Sequence, residues 1–266
     1  MESNPTPTAA PTASLVIIGN EVLSGRTKDA NLAYLGAQLA EMGIRMMEVR
    51  IVPDIEANIV EAVNALRARH SYVFTTGGIG PTHDDITSAC IAAAFGVKLI
   101  RHPDAMAVLA AHYAATGAEF NDARKKMAEV PEGATLVENP VSKAPGFRIG
   151  NVYVFAGIPR IMQAMFDSVR GELTTGAKIA SRTVSCRLGE GTLAQGLGAI
   201  QTRHPGIDIG SYPYFVGGGF GVSLVLRGTD EATLDTAAEE VRALIRSLGG
   251  EPVEGEPVKE AAAKPM

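Results

Sequence analysis

The run Thr75-Thr76-Gly77-Gly78-Ile79-Gly80-Pro81-Thr82-His83-Asp84-Asp85-Ile86-Thr87 stands between an apolar stretch, Tyr72-Val73-Phe74, and an apolar-periodic one, Ala89 to Phe95. A strand, a glycine loop and a helix in that order commit this part of the chain to an α/β arrangement. Glycines at 77, 78 and 80 let backbone approach a ligand closely, because no Cβ intervenes. The helix that follows directs its free N–H groups and the positive end of its dipole at the loop, which suits a phosphate. His83, Asp84 and Asp85 are more than a phosphate cradle needs, and two acids beside an anion site suit a metal or proton transfer. The same loop has a plainer reading. Such loops are common in α/β proteins, and Thr82 with Asp85 three residues later also reads as a helix N-cap and its partner. No Gly-Lys-Ser/Thr follows, so it is not a P-loop, and Gly-Gly-Ile-Gly lacks the third spaced glycine of a dinucleotide fingerprint.

The flanking pattern repeats this order. Leu15 to Ile18 reads as a buried strand ending at Gly19. Leu32, Leu35, Leu39 and Met42 form one helical face opened by Asp29 and stopped at Gly43. Ile44 to Val52 is the next strand. Ile55, Ile59, Val63 and Leu66 mark a second helix, and Ser71 to Thr76 a third strand. The class is therefore α/β: a three-layer, mostly parallel sheet with helices on both faces, which binds ligands beyond the carboxyl ends of its strands. Two loops lie there, 19–31 and 77–87. The first offers Glu21 and Asp29, which converge with Asp84 and Asp85 if the first and third strands are neighbours. Such an oxygen cluster suits Mg²⁺ or Mn²⁺ held together with a phosphate. Asp29 equally reads as the cap of its helix.

Further along, 103–130 reads as helical with a break near Thr116-Gly117, and Phe147 to Phe155 as a hairpin turning at Gly150-Asn151. A helix then runs to about Val169. A boundary near 173–178 separates a small α+β domain of the split β-α-β type, 178–250, from the large domain, 14–175. Residues 1–13, rich in Pro, Thr and Ala, read as a disordered leader, and 251–266 as a loose tail. Gly217 to Gly219 read as a hairpin tip. Asn139 to Phe147 is a loop shaped by two prolines and a glycine, from which Lys143 can reach a phosphate. Arg124-Lys125-Lys126 reads as a wet helical face.

Composition narrows the function. The formal charge is −5, with no basic block and no tryptophan, which argues against wholesale nucleic-acid binding. No apolar run is long enough to span a membrane. Cys90 and Cys186 lie far apart, in no metal or redox motif, and fit buried thiols of a cytoplasmic protein. No Gly-x-Ser-x-Gly elbow is present, and Ser24 and Ser142 have no evident base. The residues support metal-assisted attack of water on a phosphoanhydride.

The stretches Ile18 to Gly25, Asp29-Ala30-Asn31, Val52-Pro53-Asp54 and Thr76 to Thr87 together resemble the molybdopterin-binding domain superfamily. So do Pro131 to Ala134, Asn139-Pro140, Ala144 to Phe147, Ala156-Gly157-Ile158-Pro159 and Ile209 to Pro213. The chain looks most like the branch formed by the N-terminal part of competence/damage-inducible protein A and the corresponding domain of FAD synthase, over roughly 14–249. The resemblance implies a fold that binds a pterin or nucleotide phosphate at the glycine loop. It implies either pyrophosphatase activity on ADP-ribose or FAD, dependent on Mg²⁺, Mn²⁺ or Co²⁺ and helped by K⁺, or molybdopterin binding without turnover. A homo-oligomer is implied as well. On the matching positions, Asp85, Asp84 and Asp29 are the catalytic candidates, and Glu21, Asp29, Asp84 and Asp85 the metal candidates. The ligand candidates are Gly19, Asn20, Glu21, Asn31, Thr76, Gly77, Gly78, Gly80, Pro81, Thr82, His83 and Thr87, and then Asn139, Lys143, Pro145, Gly146, Gly157 and Pro159. Two departures stand out. Many relatives have Gly-Thr-Ala-Pro-Gly where this chain has Val141-Ser142-Lys143-Ala144-Pro145-Gly146, and Ala156 replaces a usual proline. The amidohydrolase and adenylyltransferase domains of some relatives have no counterpart, so neither of those activities is expected.

Overall fold

The computed structural model describes residues 10–216 and 219–256. It divides into two compact units between Gly176 and Ala177.

The first unit runs β1 (Thr12–Ile18), α1 (Asn20–Leu23), α2 (Asn31–Glu41), β2 (Arg45–Val52), α3 (Glu56–Arg67), β3 (Tyr72–Thr76), α4 (Thr87–Phe95), β4 (Leu99–Arg101), α5 (Pro103–Thr116) and α6 (Asp122–Lys126). It continues with β5 (Glu129–Pro131), β6 (Thr135–Val137), β7 (Gly146–Ile149), β8 (Val152–Phe155) and α7 (Pro159–Val169). Its main sheet has the order β2-β1-β3-β8-β7-β6. The first four strands are parallel, and β7 and β6 extend the sheet antiparallel.

Alternation along the strands builds two cores. Leu15, Ile17, Phe74, Tyr153 and Phe155 face Leu35 and Leu39 of α2 and Met162, Met165 and Phe166 of α7. Val16, Ile18, Val73, Val152 and Val154 face Ile59, Val63 and Leu66 of α3 and Cys90 and Ile91 of α4. Burial on both faces is why these strands read as unbroken apolar runs. Phe74 anchors the first core, with ring centroids 5.5 Å from Tyr153, 5.8 Å from Phe155 and 6.0 Å from Phe166. Aromatic contacts of this kind contribute about 0.5–1.5 kcal/mol each beyond area burial.

β1 lies between β2 and β3, with Ile17 opposite both Ile51 and Thr76. The chain therefore winds outward from β1 in both directions, and the loops after β1 and β3 leave the sheet side by side. That is the switch point at which open α/β sheets bind ligands.

The second unit comprises β9 (Ala180–Cys186), α8 (Glu190–Arg203), β10 (Asp208–Val216), β11 (Gly219–Gly228), α9 (Glu231–Ser247) and β12 (Val253–Glu254). Its antiparallel sheet has the order β10-β11-β9-β12, a complete split β-α-β layer. Leu193 and Ile200 of α8 and Leu234, Val241 and Ile245 of α9 pack on Val184, Val222, Leu224 and Leu226.

Three expectations are corrected here. The expected leader extends to 13, yet Thr12 and Ala13 already pair with β2, and Ala13 is fully buried. The expected tail begins at 251, yet Val253 and Glu254 pair with β9, Glu254 accepts from Arg242 at 2.7 Å, and Ser185 donates to the Gly255 carbonyl. A two-residue strand has no periodicity to read, so only its partners reveal it. Residues 103–130 are helical over α5 and α6 with the expected break near 117, but their last two residues belong to β5, which pairs antiparallel with β4. The remainder of the expected leader and tail, 1–9 and 257–266, and the 217–218 part of the expected hairpin tip lie outside the described residues. Among the described residues no helix is long and apolar enough to cross a membrane.

Candidate functional site

A cleft of about 530 Å³ opens at the switch point. The volume lies in the range of small-molecule sites. Its floor is Gly77, Gly78, Ile79, Gly80 and Pro81. Glu21 and Thr27 come from the loop after β1, Asp85 from the loop after β3, and Gly157, Ile158, Pro159 and Ile161 from the start of α7. Asn139, Ser142, Ala144 and Met127 complete it.

The glycines serve the loop itself more than a ligand. Gly77 and Gly78 have φ of 103° and 68°, a region L side chains avoid. A Cβ on Gly77 would stand 2.2 Å from the Ile18 carbonyl, and one on Gly78 would stand 2.1 Å from the Thr87 hydroxyl. Thr87 closes the loop: its N–H donates to the Gly78 carbonyl and its hydroxyl, fully buried, to the Gly77 carbonyl, both at 2.9 Å. A Cβ on Gly146 would meet the Val154 carbonyl at 2.4 Å, so this buried glycine serves sheet packing.

The reading of Thr82 and Asp85 as a helix cap is not what forms. α4 starts later, with Ile86 at its cap position and no side-chain cap. Asp85 instead closes a turn inside the loop. Its Oδ2 accepts the Thr82 N–H at 2.8 Å and the Thr82 hydroxyl at 2.5 Å. The same hydroxyl lies 2.6 Å from Oδ1 of Asp84, so the two carboxylates compete for one proton donor. The Thr82 hydroxyl holds the Asp84 carboxyl below its ordinary range, with smaller contributions from backbone N–H, His83 and Lys126. Asp85 faces the cleft. Asp84 and His83 are solvent-exposed, lie 3.9 Å apart and do not line it.

The helix N-terminus at the cleft is not that of α4. The first turn of α4, at Ser88 and Ala89, opens on a separate pocket of about 110 Å³ that shares Ile79, Gly80 and Asp85 with the cleft. The helix that begins in the cleft is α7, with Pro159 at its first position.

Around the first loop, Asp29 Oδ1 accepts the Leu32 N–H at 2.8 Å, so it satisfies a first-turn donor of α2 from the position before the cap residue, Ala30. It also lines a small cavity of about 60 Å³ that shares Glu21, Thr27, Gly157 and Pro159 with the cleft, and to which Asn31 and Thr76 belong. Asn31 Nδ2 donates to the Gly157 carbonyl at 2.8 Å and so ties α2 to the loop after β8. Asn20 is exposed, and its N–H donates to Asp54 at 2.9 Å; neither it nor the buried Gly19 lines the cleft. Asn139 is a loop builder. Its Oδ1 accepts from the N–H groups of Val141 and Ser142, and its Nδ2 donates to the Ser142 hydroxyl and the Ala144 carbonyl. Lys143, at φ 65°, and Pro145 line another cavity of about 450 Å³ beside α5 and β6, which shares Asn139 with the cleft.

The four acids expected to hold a metal do not gather into one cluster. Among the described residues no three His, Cys, Asp or Glu side chains are placed to hold a metal ion. Glu21 and Asp85 share the cleft, Asp29 stands behind Glu21, and Asp84 points elsewhere. Two oxygen donors in one cleft fit Mg²⁺ or Mn²⁺, which commonly take one or two carboxylates plus substrate phosphates.

Sequence reasoning missed Thr27, Ile79, Met127, Ser142, Ala144, Ala156, Ile158, Ile161 and Met165 as lining residues. Thr27 lies between two candidates and was within reach of the argument. Met127 carries no signal, since only the packing of the segment after α6 brings it there. The basic run is likewise not simply a wet face, because Lys126 Nζ donates to the Thr82 carbonyl at 2.5 Å, on the turn that holds Asp85.

Comparison with known proteins follows the division into two units. Residues 14–175 match the family model described as a probable molybdopterin binding domain. The chain belongs to this molybdopterin-binding family. Residues 178–249 match the middle domain of FAD synthase. A protein of Aeropyrum pernix is 34% identical over 258 residues, covering 90% of this chain and 96% of its own length. A CinA-like protein of Gloeobacter violaceus is 30% identical over 91% of this chain, which spans 58% of that relative. The crystal structure of the protein CinA from Thermoplasma acidophilum, described as of unknown function, superposes with a TM-score of 0.57 at 31% identity. It covers 62% of this chain and 99% of its own. The molybdopterin-binding fold and the likeness to the competence-protein and FAD-synthase branch thus stand.

Proposed function

We propose that this protein is a metal-dependent nucleotide pyrophosphatase that hydrolyses ADP-ribose or FAD and releases AMP. One observation carries the reading: two acids from different loops, Glu21 and Asp85, face one cleft floored by the Gly77–Gly80 loop. Apart from Thr82 on Asp85 Oδ2, neither carboxylate has a protein hydrogen-bond donor among the described residues.

Glu21 and Asp85 would hold the divalent ion together with the substrate phosphates. When bound, such an ion neutralises phosphate charge and lowers the pKa of a water. The chain's own residues do the rest. Thr82 fixes the Asp85 carboxylate through its N–H and through a hydroxyl shared with Asp84, leaving Oδ1 for the site. The positive end of α7 faces the anionic substrate. Ile79, Ile158, Ile161, Met127 and Met165 form an apolar wall against which a flat ring can pack. Attack of water on one phosphorus breaks the P–O–P bridge. The bridging oxygen leaves on the other phosphate, and the water's proton passes to a carboxylate at the cleft.

The apolar wall equally favours a second reading, in which the cleft binds a molybdopterin without turnover. AMP release from ADP-ribose and FAD, measured with K⁺ and Mg²⁺, Mn²⁺ or Co²⁺, separates the two. Metal-dependent release that Asp85→Asn abolishes supports the enzyme. Absence of release from folded protein, with metal-independent pterin binding, supports the carrier. Assembly as a homo-oligomer belongs to the same proposal, and light scattering tests it.

A further inference from the structure

The small cavity beside the cleft carries two polar atoms that no protein group satisfies. Asn31 is 4% exposed and Thr76 1% exposed, and both line it. Asn31 Oδ1 and Thr76 Oγ1 are buried without a hydrogen-bond partner. The Asn31 amide cannot turn round to hide this, because its Nδ2 is held by the Gly157 carbonyl at 2.8 Å. A buried polar atom left alone is costly, so such atoms normally meet a ligand or ordered water. The remaining polar lining is Glu21, Thr27 and Lys28, all exposed, and the half-buried Asp29. One carboxylate oxygen of Asp29 is occupied by Leu32. The other, with Glu21 and Asn31 Oδ1, makes the cavity mainly a set of acceptors. Its occupant must donate hydrogen bonds and be small enough for about 60 Å³.

We propose that this cavity is the subsite for the vicinal diol of a nucleotide's furanose ring. Two adjacent hydroxyls supply two donors at the spacing of neighbouring carbons, and an acidic residue facing a ribose diol is a recurrent mode of nucleotide recognition. The cavity opens to the cleft through Glu21, Thr27, Gly157 and Pro159, so a sugar placed there leaves its phosphate at the Gly77–Gly80 floor. The inference rests on the nucleotide reading of the cleft, and it distinguishes a nucleotide from a ligand without a sugar diol.

The test is equilibrium binding rather than turnover. AMP and ribose 5-phosphate are titrated into the full chain beside their 2-deoxy counterparts, with Mg²⁺ present. At least one of the two pairs is expected to show about tenfold weaker binding of the deoxy form, the cost of roughly one hydrogen bond. Thr76→Val, nearly isosteric, should shrink that discrimination to below about twofold. Asp29→Asn, which keeps an oxygen for Leu32, should shrink it as well and serves if the Thr76 variant does not fold. Equal binding of sugar and deoxysugar overturns the proposal, whether the cavity then holds only water or a cation. Discrimination that both variants retain also overturns it, as does failure of both AMP and ribose 5-phosphate to bind. AMP release without diol discrimination removes the subsite and leaves the pyrophosphatase standing. Discrimination without AMP release does the reverse.

Discussion

Thr82 donates both its backbone N–H and its hydroxyl toward a single oxygen of Asp85, at 2.8 and 2.5 Å, while Lys126 holds the Thr82 carbonyl from a segment 44 residues away. The acid that faces the cleft is therefore set by a turn pinned at both ends. Its neighbour Asp84, identical in chemistry, is left outside.

That difference gives a first prediction. Asp85→Asn should reduce AMP release at least about a hundredfold, the scale for a group acting on the reacting charge. Asp84→Asn should stay within about threefold, well under 1 kcal/mol in barrier. Steady-state rates of both variants on ADP-ribose, with circular dichroism to confirm folding, check the pair. Equal losses would remove the distinction between the acids.

Asp84 also reports on Thr82 by titration. Its carboxyl is held below the ordinary value, first by the Thr82 hydroxyl. A depressed folded-state pKa stabilises above the unfolded value, and the stabilisation is lost as pH falls through the folded one. Thr82→Ala should raise the Asp84 pKa toward the ordinary carboxylate range, read as a carbon chemical shift against pH. Any loss of stability from this group should be confined to acid pH.

Gly77→Ala tests the loop's own packing. The added methyl would stand 2.2 Å from the Ile18 carbonyl at a φ of 103°. The expected cost is roughly 3 kcal/mol or more, above the usual range for single substitutions. Gly25→Ala, at φ 74° with open space around the new Cβ, should cost only the backbone term of about 1 kcal/mol. Urea unfolding of both variants separates crowding from conformation.

Lys143 adopts a φ of 65° without being glycine and lines the cavity beside α5 rather than the cleft. Lys143→Gly should relieve about 1 kcal/mol of backbone strain, partly offset by the extra freedom of glycine when unfolded. Thermal melting should therefore be unchanged or slightly raised. A large fall in substrate affinity in this variant would restore Lys143 as a phosphate ligand.

Cys90 is 1% exposed, and burial pushes its thiol up to about 11. Cys186 is also buried. Neither should react with a thiol reagent near pH 7.5 until the chain unfolds, and both should react in denaturant. Rapid labelling of native protein would show an opening this packing does not allow.

Much of the fold was legible because local chemistry and burial agreed. The unbroken apolar runs at 15–18 and 72–74 mark strands buried on both faces, and the structure places each between two cores. Ile59, Val63 and Leu66 showed their helix through spacing alone. Where an element owes its existence to a distant partner, the sequence was silent. β12 is two residues long and forms because β9 has a free edge there. β5 takes the last residues of a stretch that reads as helix because it pairs with β4 across α5 and α6.

The site divides along the same line. By itself, the sequence determined that the chain is α/β, that loops rich in glycine and acid follow its first and third strands, and which residues those loops contain. Spacing along a chain cannot say which side of a turn a carboxylate faces. That is decided by hydrogen bonds and contacts formed only on folding. Thr82 turns Asp85 inward, and the register of β1 against β3 brings Glu21 to the same cleft. The packing of α7 supplies the helix terminus that α4 was expected to provide, and a segment read as a wet face brings Met127 and Lys126 to the loop.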